Sequence, residues 1–188
     1  MSDIPELRTD RLVLREWRDE DLEPFAALNS DPEVMRFLTK LMSRVESDHR
    51  VEQIREHFRD HGFGKWAVEV RDAARFIGFV GIERASFEAP FTPSVEIGWR
   101  LAREAWGQGF ATEAARAAIT FGFEKRGLNE IVSFTVPDNA PSRRVMERLG
   151  MTRDPAEDFD HPFLAEGHPL RKHVLYRLPR SAFEKGVP

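Results

Sequence analysis

The chain predicts a single α/β (mixed α+β) domain, residues 1–188 with a core from about 7 to 178, in which a mostly antiparallel central sheet is flanked by helices. Three observations predict it. Short strand-like runs, among them Val95 to Leu101 and Glu130 to Val136, each lead through a turn into a helical run. No internal repeat, low-complexity tract or linker interrupts the 188 residues. Hydrophobic residues make up 41% and charged residues 32%, a balance that supports one substantial core at this length.

The expected order is β-α-α-β-β-β-α-β-α-β. Arg11 to Arg15 alternates in character and reads as the first strand. Asp19 to Asn29 reads as a helix, its acidic first turn matching the positive end of the helix dipole. Asp31-Pro32-Glu33 gives a second helix start, with Asp as N-cap and Pro at the first helical position. Ser43-Arg44-Val45-Glu46 matches a capping box, and that helix should end near Gly62. Lys65 to Arg71 and Arg75 to Arg84 form a hairpin pair, and Val95 to Leu101 is the next strand. Ala111 to Lys125 is a helix with Phe110, Ala114, Ala117, Ala118 and Phe121 on one face. Glu130 to Val136 is a strand, Ala140 to Leu149 a helix, and His173 to Leu178 the last strand. One more short strand is expected near Met151.

Composition excludes several classes. A net charge of −4 leaves no basic footprint for nucleic acid. No apolar run is long enough to span a bilayer, so no membrane partner is expected. Met1 to Glu6 lacks a basic n-region and an apolar h-region, so a cytoplasmic location is expected. The absence of cysteine removes disulfides, thiolate nucleophiles and Cys-ligated metals.

The chemistry gathers in two segments. The first is Trp106-Gly107-Gln108-Gly109-Phe110-Ala111-Thr112-Glu113, between a strand and a helix. Glycines there let backbone approach a ligand, and the unpaired N–H groups of a helix's first turn attract an anion such as pyrophosphate. A turn that needs glycine only for its geometry would read the same. The second is Asn139-Ala140-Pro141-Ser142-Arg143-Arg144-Val145-Met146-Glu147-Arg148-Leu149-Gly150-Met151, which follows the next strand.

Together the segments resemble the GCN5-related N-acetyltransferase (GNAT) superfamily over roughly residues 7 to 178. With Glu96-Ile97-Gly98-Trp99 upstream, the spelling is most similar to its RimJ/RimL-like branch, which acetylates N-termini of ribosomal proteins. The resemblance implies acetyl-CoA as cosubstrate, with Gly107, Gln108, Gly109, Ala111 and Thr112 at the pyrophosphate. It implies further coenzyme A contacts at Trp99, Leu101, Asn139 and Ser142. Asn139 equally fits an ordinary helix N-cap. Many superfamily members carry a tyrosine where this chain has Met146, which cannot donate a proton. The usual acid toward the departing thiolate is therefore missing, and Ser142 is its substitute or only a cofactor contact. The pattern's usual Gln or Arg before the glycines is Trp106 here. Arg103, Arg143, Arg144 and Arg148 either meet the phosphates or form a solvated face.

Aminolysis of a thioester needs a neutral amine, a polarised carbonyl and a leaving thiolate. Alternation puts Glu96, Gly98 and Arg100 on one face of their strand, with Val95, Ile97 and Trp99 on the other. Glu96 either takes a proton from the incoming ammonium or is a structural glutamate, paired for instance with Arg100. The acceptor is an amine: a protein N-terminus, or a small amine, polyamine or aminoglycoside. A non-catalytic acyl-CoA-binding sensor is the alternative outside the enzymes. Glu56 to Phe63, the apolar loop Phe87 to Pro93 and the tail Asp158 to Leu170 are expected to shape the acceptor side. The loop either lines a pocket or forms a homodimer contact. Asp160, His161 and His168 do not match metal spacing, so no metal is expected.

Overall fold

The computed structural model describes residues 4–186. Met1, Ser2 and Asp3, with which the expected absence of a leader begins, lie outside them. The chain divides into two compact units. One runs to Glu83 and takes in Gly98–Ala118; the other is Arg84–Ile97 with the residues from Ile119 onward.

The first unit opens with β1 (Leu7–Arg8) and β2 (Leu12–Arg15), followed by α1 (Leu22–Ser30) and α2 (Arg44–His61). Then come β3 (Lys65–Val70) and β4 (Arg75–Arg84, whose last residue belongs to the other unit). β1, β2, β3 and β4 pair in sequence, all antiparallel, with Leu7 opposite Leu14, Leu12 opposite Val70 and Lys65 opposite Gly81. The unit also holds Gly98 to Leu101, the later part of β5 (Val95–Leu101), and the start of α3 (Phe110–Arg126).

Local chemistry explains the boundaries. Ser43 caps α2 by accepting from the Glu46 N–H, while the Glu46 carboxylate accepts from the Ser43 N–H at 2.8 Å. Gly62 ends α2 in the left-handed region at φ 69°, where its N–H bonds to the Phe58 carbonyl. Leu12, Leu14, Phe25, Phe58 and Trp66 are buried around this sheet. Phe25 meets Trp17 edge-on at 4.8 Å. Arg15 is buried as well. It forks onto Asp21 at 2.7 and 2.9 Å and reaches Glu69 at 2.7 Å, so that a charge removed from water keeps its partners.

The helix expected to start at Asp31 does not form. Asp31 Oδ1 accepts from the Glu33 N–H at 2.8 Å, and Met35 N–H reaches Asp31 O, but turns replace a continued ladder through Phe37. Met35 is buried in this stretch, whereas Leu38 and Leu41 are exposed, so no apolar face sustains a helix.

In the second unit Val95–Ile97 of β5 meets β6 (Glu130–Thr135) in parallel, with Glu96 opposite Val132. β8 (Lys172–Pro179) runs antiparallel to β6, from Glu130 opposite Pro179 to Thr135 opposite Val174. The short β7 (Phe159–Asp160) adds to the far side of β8. α4 (Ala140–Arg148) follows β6, and α5 (Arg180–Glu184) closes the described chain. The strand expected near Met151 is a single bridge, Thr152 with Arg177. β1, β7 and α5 add to the expected order. Phe87, Phe91, Phe134 and Phe159 pack together with His161, Phe163 and His173. The loop from Phe87 and the tail from Asp158 thus meet within this unit.

All four tryptophans, Trp17, Trp66, Trp99 and Trp106, belong to the first unit, and the sole tyrosine, Tyr176, to the second. Among the described residues no helix is long and apolar enough to cross a membrane.

Candidate active site

The glycine loop belongs to the first unit. Gly107 and Gly109 adopt φ of 73° and 81°, a region costly for residues with a Cβ. A Cβ built on Gly107 would have no atom within 4 Å, and one on Gly109 would meet only Arg11, at 3.5 Å. The space before α3 is therefore open, and the side chains that would occupy it are absent. The first N–H groups of α3, at Phe110, Ala111 and Thr112, precede any intrahelical acceptor and point out of the helix start. Gly107, Gln108 and Gly109 are exposed, and Ala111 and Thr112 are half-buried. Peptide N–H groups at such an open helix start could hold an anion of the pyrophosphate type.

A clamp holds the loop. Arg11 donates to the Gln108 carbonyl at 3.0 Å and to Glu113 Oε2 at 2.7 Å, and its guanidinium covers the Phe110 ring at 4.7 Å. Thr9 Oγ1 and the Arg11 N–H both donate to Glu113 Oε1, at 2.6 and 3.0 Å. Burial pushes the Glu113 carboxyl up, but these hydrogen bonds outweigh it and hold the group below its usual range. Gln108 Nε2 bonds to Glu104 O at 2.7 Å, and Trp106 Nε1 to Leu101 O at 2.8 Å. Sequence reasoning missed this clamp. Glu113 stands inside the quoted octet, but nothing local links it to Arg11.

Trp99 and Leu101 lie on β5 ahead of the loop, Trp99 half-buried and Leu101 buried. Between them Arg100 donates to Asn29 Oδ1 at 2.6 Å. Among the described residues no carboxylate stands at ion-pair distance from Arg100, so the pairing with Glu96 entertained from the sequence is replaced by a neutral amide. Within Glu56 to Phe63, the His57 ring bonds to Phe63 O at 2.8 Å and meets His61 edge-on.

The second unit carries the other candidates. Glu96 is half-buried at the β5–β6 register with Val132, and the next residue's carbonyl, Ile97 O, accepts from buried Ser133 Oγ at 2.9 Å. Asn139 caps α4. Its Oδ1 accepts from the Ser142 N–H at 3.3 Å, while its Nδ2 donates to Thr135 at 2.9 Å. The side chain of Asn139 is thus engaged at both ends. Ser142 is half-buried in the first turn of α4, and its hydroxyl makes no hydrogen bond among the described residues. Met146 is buried, 1% exposed, so no proton donor takes its place from that position. The Tyr176 hydroxyl is occupied, accepting from Arg143 at 3.3 Å and donating to Glu147 at 3.1 Å. Arg143 also bonds to Pro137 O. Arg103 and Arg144 form no ion pair among the described residues.

In the tail each candidate metal ligand has its own partner. Asp160 pairs with Arg171 at 3.3 Å, and His168 accepts from the Leu170 N–H at 3.1 Å. Among the described residues no group of three or more His, Asp or Glu side chains is arranged to hold a metal ion.

The acetyltransferase (GNAT) domain profile matches residues 11–152. YoaA of Bacillus subtilis, named as an uncharacterised N-acetyltransferase, is 30% identical over 80% of this chain and 85% of its own length. An FsC-acetyl coenzyme A-N(2)-transacetylase of Aspergillus fumigatus is 32% identical over 79% of this chain and 65% of its own. The crystal structure of an acetyltransferase from Agrobacterium tumefaciens matches at TM-score 0.75 and 27% identity, covering 94% of this chain and 95% of that one.

Proposed function

The chain belongs to the acetyltransferase (GNAT) domain family and is an acyltransferase; from that premise we propose that it moves the acetyl group of acetyl-CoA onto a primary amine by direct attack in a ternary complex. The observation that carries this reading is the loop from Gly107 to Thr112. Two open-faced glycines at positive φ precede a helix start, and the Arg11–Glu113 clamp fixes them. The reading treats the whole chain as one N-acetyltransferase domain working in the cytoplasm.

The loop N–H groups hold the pyrophosphate and so place the thioester. Trp99 and Leu101 line the path of the cofactor. Glu96 takes the ammonium proton, directly or through water, so that the amine nitrogen is free to bond to the thioester carbon. As the N–C bond forms and the C–S bond breaks, sulfur leaves as thiolate, and the Ser142 hydroxyl is available to donate a hydrogen bond to it. Asn139 contributes chiefly by capping α4 and so presenting Ser142. With no cysteine in the chain, a covalent acetyl carrier has no activated thiol to use.

The acceptor is an amine of a protein N-terminus, as the RimJ/RimL-like spelling suggests, or of a small molecule. Thiol release from acetyl-CoA, measured across N-terminal peptides and small amines, tests the reading. Intersecting initial-rate lines and no acetyl adduct with acetyl-CoA alone are expected. Parallel lines with a transient +acetyl species would overturn direct attack.

A further inference from the structure

Arg100 is a charge that nothing in the proposed reaction uses. Its side chain is half-buried with no carboxylate at ion-pair distance among the described residues. The first cause acting on it is desolvation and the second the like charge of Arg50, and together they push it down to about 10. Arg15 in the same unit, buried outright, is neutralised by Asp21 and Glu69. Arg100 instead faces one amide oxygen, Asn29 Oδ1, at 2.6 Å. That amide is fixed in turn: Asn29 is fully buried and its Nδ2 donates to buried Ser47 Oγ at 2.8 Å. The arrangement aims the guanidinium and leaves its charge intact, with one of its five N–H donors committed.

Lys65 stands beside it, its ammonium held by the Glu83 carboxylate, which Arg50 also reaches at 3.3 Å. Arg100 and Lys65 both lie against the Phe79 ring, 5.5 and 5.4 Å from its centre. Gly98, two residues before Arg100 and on the same pleat face, lies beside the lysine: a Cβ there would be in ordinary contact with Lys65 Cε at 3.7 Å. Trp99 and Leu101, assigned to the cofactor, point to the opposite face of the strand. A guanidinium fork held by a neutral amide over an aromatic floor, beside Lys65 and Arg50 that share the Glu83 carboxylate, matches a planar or tetrahedral oxyanion.

We propose that Arg100, oriented by Asn29 and flanked by Lys65, binds an oxyanion carried by the amine acceptor, either a carboxylate or a phosphate. The acceptor would then be an amino acid, a peptide with a nearby carboxylate, or an amine phosphate, and not a polyamine. The acceptor assignment rests on the acetyltransferase reading; the oxyanion site does not.

The test uses acceptors paired to differ only in the anion. L-amino acids are compared with their amides, and O-phosphoethanolamine with ethanolamine, by thiol release from acetyl-CoA. The wild type should favour the anionic member of one pair by roughly 30-fold or more in kcat/KM, the scale of a lost charge pair. The arm that shows the preference identifies the group. Arg100→Gln should collapse that ratio toward one. Asn29→Asp, which hands Arg100 an internal carboxylate, should do the same while keeping the fold; a purely structural arginine would be stabilised by this change with no effect on acceptor ratio. Thermal protection by acetate and by inorganic phosphate, lost in both variants, gives a readout without turnover. Protection that depends on Arg100 without any acetyl transfer would defeat the proposed reaction and leave the oxyanion site standing. Transfer with no anionic preference, or protection indifferent to both substitutions, overturns the site.

Discussion

Arg11 and Glu113, 102 residues apart, join the start of β2 to the first turn of α3 through an Nε–Oε2 bond of 2.7 Å. The same arginine reaches the Gln108 carbonyl, so one side chain fixes both the helix start and the loop before it. The Arg11 side chain is half exposed, and solvent screens much of its electrostatic contribution to stability. Its consequence is therefore sought in ligand affinity. Arg11→Met is expected to weaken coenzyme A binding by about 10-fold, with little loss of melting temperature, because preorganisation of the loop is what it supplies. Calorimetric titration with coenzyme A checks this.

Gly109→Val places a branched side chain where φ is 81° and where the phosphate would approach. It should cost about 1–2 kcal/mol from the backbone alone. The larger effect should be on the ligand: the rise in melting temperature that coenzyme A gives the wild type should vanish. A folded Gly109→Val protein that still gains the full rise would remove the loop from the cofactor site.

Glu96→Gln keeps the shape of the side chain and removes the proton acceptor. Turnover at saturating amine is expected to fall ~10²-fold or more, with coenzyme A affinity nearly unchanged. A shift of the rate profile to higher pH would accompany it, since the amine must then lose its proton to solvent. Unchanged turnover would make Glu96 a structural residue of β5.

Three histidines set an acid limit. Burial lowers His161, and neighbouring His173 lowers it further; burial lowers His173 against the opposing bond to Arg171 O; burial lowers His57 despite its bond to Phe63 O. Each folded-state value lies below the unfolded one, so the unfolded chain takes up protons first as pH falls. The stability these neutral rings contribute is present above the unfolded value of about 6.5 and is lost progressively below it. Melting temperature should therefore decline as pH falls below about 6.5. His161→Phe, which keeps a ring in the aromatic cluster, should flatten that decline.

Much of the fold was legible because its signals are local. Val95–Leu101 and the hairpin strands follow from alternation, and α2 follows from Ser43, Glu46 and Gly62, all acting within one turn of their targets. β1 and β7 are two residues each, too short to carry a pattern, and exist through their partners Leu14 and His173. The Asp31 start misled because a cap satisfies N–H groups without supplying an apolar face. At the site, the glycine positions were legible from the octet, whereas the Arg11 clamp and the Arg100–Asn29 pair, 71 residues apart, join segments that no spacing rule connects.

The confinement of every tryptophan to one unit and of the lone tyrosine to the other divides the protein optically. Indole emission originates in the unit that carries the glycine loop, since the other unit holds no tryptophan. Trp106, half exposed and next to Gly107, is the indole whose surroundings a bound nucleotide would change most directly. Fluorescence of Trp106 therefore offers a label-free readout of coenzyme A addition, the measurement that checks whether the adjoining loop is the site.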